Sequence, residues 1–155
     1  MNLDEVVALV GGWDGVLTLA PGPGDGTPEI AWGDLFFYYA PDGEVPQTTQ
    51  PFATVVTKDY PGDEACRLDR AGVFRVNVHA GRAAVEEVAA SEAAQAVDLA
   101  ALDQVVVHPV YGTIGWLAVV CPGPSTSERL AALLLSAYDD ARARYDRRHD
   151  LVQGS

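Results

Sequence analysis

One lysine, one methionine and two cysteines are spread over 155 residues, and no apolar run approaches the length of a membrane span. Cys66 and Cys121 lack the paired spacing of a zinc knuckle, so no metal and no cofactor is expected. The opening MNLDEVV has neither a basic n-region nor a long apolar h-region, so it does not read as a secretory signal. Two free thiols and no such signal point to a reducing, cytoplasmic compartment. Basic residues are also scarce: ten Lys and Arg stand against 22 Asp and Glu, giving a net charge of −12. A chain of that charge repels phosphate backbones and anionic lipid unless its cations gather on one face, so neither nucleic acid nor membrane is the expected partner. No motif commits the chain to a reaction. GPGDG, residues 22–26, is glycine-rich, but no Lys-Ser/Thr follows it, so it reads as a hairpin tip rather than a phosphate loop.

What is present is a pattern of short strands between helices. Asn2 is placed to cap a first helix whose apolar face is Leu3, Val6, Val7 and Val10, ended by Gly11-Gly12. Strands are expected at 16–20, within 30–40 (broken near Gly33-Asp34), at 52–58, at 73–79, at 105–107 and within 113–121. A short helix is expected from Gly81. Ser125 and Glu128 have capping-box spacing for a closing helix with Leu130, Leu133, Leu134, Ala137 and Ala141 as its buried stripe. Strand runs bracketed by helices predict an α+β fold. The expectation is one domain over 1–150, a mainly antiparallel sheet of about five strands with the N- and C-terminal helices on one face, and a disordered tail at 151–155. Trp116 is expected to be buried between the sheet and the closing helix, with a structural role.

The segment VFRVNVH alternates cleanly, so Arg75, Asn77 and His79 project side by side from the face opposite Phe74, Val76 and Val78. With helices on only one face, this row lies on the open one. Lys58 and Arg82 are expected to border it, and Trp32, Phe36 and Tyr38, or else Phe37 and Tyr39, to supply an aromatic floor. Polar groups over such a floor are how small-molecule sites are lined; an alternating strand otherwise marks only the solvent side of a sheet. The expected function is therefore a non-catalytic binding module for an anionic small molecule or a protein partner. The alternative is a small hydrolase or isomerase with His79 or His108 as general base. His108, before Pro109, also reads as a hydrogen-bonding turn residue. Cys66 and Cys121 read as small buried hydrophobes rather than nucleophiles.

WGDLFFYYAPDG, PFATVVTKDYPG, LDRAGVFRVNV and ALDQVVVHPVYGTIGWLAVVCPG together resemble a bacterial family known as domain of unknown function 6194, nearly end to end. The resemblance brings no catalytic residues with it. More distantly, the strand-rich middle and the Gly115-Trp116 strand followed by a helix with Tyr138 are similar to the YjbR-like group. That likeness implies a double-wing α+β fold and, as that group's supposed role, DNA binding through Lys58, Arg67, Arg70, Arg75 and Arg82. The net charge of −12 opposes such a role.

Overall fold

The structure is a computed structural model describing residues 1–153. Six strands, β1 (Val16–Leu19), β2 (Leu35–Tyr39), β3 (Ala53–Val56), β4 (Arg75–His79), β5 (Val105–Val107) and β6 (Trp116–Val120), form an open sheet in the order β1-β2-β3-β4-β6-β5. Every neighbouring pair is antiparallel. The fold is α+β as expected, with six strands in place of about five. The three-residue β5 holds its place through pairing with β6 rather than through its own length. β2 starts later than the apolar run suggests, because Glu29–Ala31 form a 3-10 turn and Gly33 takes a φ of 89° that favours glycine.

Among the described residues, three α-helices, α1 (Leu3–Gly11), α2 (Arg82–Ala93) and α3 (Ser127–Gln153), join the sheet. α1 opens on a capping box: Asn2 Oδ1 accepts from Glu5 N at 2.8 Å, and Glu5 Oε1 accepts from Asn2 N at 3.1 Å. One core gathers Val6 and Val10 of α1, Val88 of α2, and Leu130, Leu134, Ala137 and Tyr138 of α3. It packs them on Phe37, Ala53, Val55, Val76, Val78, Leu117 and Val119. These strand residues share one side of the sheet by alternation, so all three helices cover that side.

α3 does not start on the expected Ser125–Glu128 box. The 123–126 segment leading into it is held by a carboxylate distant in sequence: Asp103 accepts from Gly123 N, Ser125 N, Thr126 N and Thr126 Oγ1. The Thr126 hydroxyl, followed by these backbone bonds, holds the Asp103 pKa down to about 2. The expected tail at 151–155 falls partly on the last turn of α3, and residues 154–155 lie outside the described residues. Among the described residues, no helix is long and apolar enough to cross a membrane.

Among the described residues, no α-helix packs on the other side of the sheet. Part of it is covered by the 57–73 segment, which places Cys66 and Leu68 on Val56 and Val120, with Leu99 and Cys121 alongside. Beside this segment lies an open cleft. Trp116 is directly opposite His79 in the β4–β6 register, so it points into this side. It is buried, at 7% exposure, but its expected position against α3 is wrong: Leu117 and Val119 face the helices instead. The neighbours of Trp116 in sequence are apolar on both faces, so composition alone does not fix its direction. Pairing with β4 does.

Candidate functional site

The cleft has a volume of about 450 Å³. Its floor comes from β2, β3, β4 and β6, through Phe36, Thr54, Val56, Asn77 and Trp116. One wall is the 60–63 segment; the other is the His108–Ile114 turn. Tyr111 and Ile114, exposed by 51% and 53%, form an apolar rim.

At the cleft's polar end, Arg75 sits between Val56 and Val120 in the strand register. It is 1% exposed. All of its donors have close neighbours. Nε donates to Asn77 Oδ1 at 2.8 Å. Nη1 donates to Asp63 Oδ1 at 3.0 Å and to Cys66 Sγ at 3.5 Å. Nη2 donates to Asp63 Oδ2 at 2.6 Å and lies 3.1 Å from His108 Nε2. This is the paired, bidentate geometry a buried guanidinium needs. Burial works against the charge of both partners. The bonds from Arg75 outweigh it for Asp63, whose pKa is lowered, and the bonds to Asp63 outweigh it for Arg75, whose pKa is raised. Asn77 Nδ2 continues the chain to Thr54 Oγ1 at 2.9 Å.

His108 is the turn residue the sequence suggests. Its Nδ1 accepts from Val110 N and Tyr111 N, both at 3.0 Å. Burial, then the Arg75 charge, push its pKa down to about 4 against the opposing pull of Asp63. A second anchor holds the near wall. The fully buried Asp34 accepts from Thr57 N, Thr57 Oγ1 and Lys58 Nζ through Oδ1, and from the Tyr60 hydroxyl through Oδ2. Burial first, then the Asp34 bond, raise the Tyr60 pKa, so its hydroxyl keeps its proton. Arg70 ties the far part of the same segment to Cys66 O and Ala100 O.

Of the residues expected to form the site, Arg75 and Asn77 line the cleft, though as buried groups rather than a solvent row. The segment over them is invisible to strand alternation. His79 lies one step beyond, with Nε2 on Ile114 O at 3.2 Å and its ring 5.5 Å from Trp116; burial lowers its pKa. Lys58 does not border the row: Nζ is held by Asp34 Oδ1 at 2.9 Å and Trp32 O at 2.8 Å. Trp32 donates its indole N–H to Thr27 O, and Tyr38 shares the Phe36 side of β2, but neither lines the cleft. Arg82 is on α2, its side chain 92% exposed and paired with Glu86. Four of the five cations required by a nucleic-acid surface do not gather: Lys58, Arg70 and Arg75 are engaged internally, and Arg82 projects from a helix on the far side.

Asp63, Tyr111, Ile114 and Thr54 did not stand out in the sequence. Asp63 is one of several acids in the 59–69 segment, and only the fold singles it out. The adjacency of His108 to an exposed Tyr-Gly-x-Ile turn is the one sequence signal for the far wall. The model of a family described as "Family of unknown function (DUF6194)" matches residues 1–150. No curated protein and no solved structure matches the chain.

Proposed function

The chain belongs to the family of unknown function DUF6194, and we propose that it is a non-catalytic binding module whose helix-free sheet face takes a small, largely apolar molecule. The observation that supports this is the cleft itself: about 450 Å³, floored by Phe36, Val56 and Trp116, with polar groups converging at one end. Small-molecule sites are lined in this way. The ligand class differs from the anion that the Arg75–Asn77–His79 row suggests. Asp63 already compensates Arg75, and the net charge of −12 opposes the approach of anions. A base for hydrolase or isomerase chemistry finds little support. His108 gives Nδ1 to two backbone N–H groups and places Nε2 against a guanidinium. A cytoplasmic location agrees with two free cysteines, though it rests on the sequence.

Thermal denaturation against a panel of neutral aromatic and aliphatic metabolites tests the proposal. At least one should raise the melting temperature of the protein. It should not raise that of the Tyr111→Ala/Ile114→Ala variant, whose changes fall on exposed rim residues. A ligand that stabilises both proteins equally, or shifts produced only by anions, counts against this cleft and this ligand class.

A further inference from the structure

We infer that the polar end of the cleft is a receptor for a neutral carbonyl oxygen, held jointly by Arg75 Nη2 and His108 Nε2. This rests on the reading that the cleft takes a small molecule. It adds which chemical group that molecule presents.

The inference begins with the His108 ring. Its Nδ1 accepts two backbone hydrogen bonds, from Val110 N and Tyr111 N at 3.0 Å each, and so carries no proton. The imidazole proton is then on Nε2. That nitrogen is 3.1 Å from Arg75 Nη2, which is itself a donor. The nearest carboxylate oxygen, Asp63 Oδ2, is 4.0 Å away, beyond hydrogen-bond reach. The opposite tautomer is worse, because it sets Nδ1–H against two backbone N–H groups instead of one guanidinium N–H. Arg75 Nη2 uses one hydrogen on Asp63 Oδ2 at 2.6 Å and directs the other towards His108. Two N–H donors thus stand side by side with no acceptor between them. Both side chains are 2% exposed, and both line the cleft. Buried donors in native proteins are almost always partnered.

An oxygen with two lone pairs bridging Nη2 and Nε2 satisfies both donors at once. Neutrality follows from Asp63: its charge already cancels that of Arg75, and a ligand carboxylate would face it across the same guanidinium. The Phe36, Tyr60, Tyr111 and Trp116 rings along the rest of the cleft suit an aryl or other flat apolar body behind the carbonyl. The ligand class is an apolar ketone, ester or amide.

Two measurements test this. Ring ¹⁵N shifts of His108 in the labelled, ligand-free protein should show the Nε2–H tautomer at neutral pH; a proton on Nδ1 removes the donor pair and overturns the inference. Titrations with acetophenone, ethylbenzene and benzoate, followed by ¹H–¹⁵N spectra, should rank acetophenone about tenfold above ethylbenzene, the range for a hydrogen bond to a charged group. Benzoate should bind more weakly than acetophenone. His108→Asn, whose Oδ1 can still accept from Val110 N and Tyr111 N, should lower acetophenone to the hydrocarbon's affinity, with its spectrum reporting that it is folded. Equal binding of ketone and hydrocarbon to the natural protein overturns the carbonyl receptor and leaves the cleft as a binding site. Tighter binding of benzoate makes it an anion site instead. Failure of all three probes to bind overturns both readings.

Discussion

Single residues decide what this cleft can do, and His108 gives the clearest solution signature. Its pKa is pushed down to about 4 from an ordinary 6.5, so the unfolded chain takes up a proton in this range before the folded one does. Its contribution to stability is therefore fully present above pH 6.5 and is lost as pH falls towards 4. Urea denaturation at pH 7 and pH 5 should show the natural protein losing more stability over that interval than His108→Asn; equal losses would mean the ring is not held neutral. Trp116→Ala should cost about 3 kcal/mol, the lower end of the range for a large aromatic removed from a core, because part of its ring borders the cleft. In a protein with Trp13 and Trp32 replaced by Phe, Trp116 emission should also respond to a cleft ligand. A silent Trp116 would place the ligand elsewhere. At this scale the sequence was uneven. The Asn2 cap of α1 is a local signal and is legible, though its reciprocal bond to Glu5 is not foreseen. Asp34 and Asp63 are not, because a carboxylate that anchors a cation 24 or 12 residues away looks like any solvated acid.

Elements were easier to read than residues, since periodicity is a local property. The Phe74–Val76–Val78 alternation marks β4 and its two faces, and the Leu130–Leu134–Ala137 stripe marks α3. The segments between elements escaped, and the 57–73 segment converts an expected solvent row into a buried network. The His108–Gly115 turn depends on one small residue. A Cβ at Gly112 would stand 2.3 Å from Val107 Cγ1. Gly112→Ala should therefore destabilise the protein by about 1–3 kcal/mol through overpacking, measured by denaturant midpoint, and should loosen the far wall of the cleft. Asp103→Ala should lower the midpoint with an unchanged slope, since four donors in the segment leading into α3 lose their acceptor. The Asp103 pKa is lowered, so its effect is present above pH 3.8 and fades as pH falls towards about 2, where the natural protein and the variant should converge.

For the whole molecule, 22 acids against ten bases oppose the approach of anions, and the side of the sheet away from the α-helices carries the cleft. That α2 joins α1 and α3 on one side was not foreseen, but the layering of the two terminal helices there was legible in the α+β pattern. Whether the other side would be bare or furnished was not, because it depends on contacts between β4, the 60–63 segment and the 108–114 turn, which are far apart in sequence. The central claim is that this furnished side binds a neutral apolar molecule. The most direct measurement is a ¹H–¹⁵N spectrum of the uniformly labelled protein titrated with the best neutral compound from the metabolite panel. Saturable shifts should concentrate on Thr54, Asn77, Tyr111, Ile114 and the Trp116 indole, leaving α1 and the helix-facing Val76 and Val78 unmoved. Shifts centred on the helices or on the β1–β2 end of the sheet, or no saturable shift with any neutral compound, would contradict it.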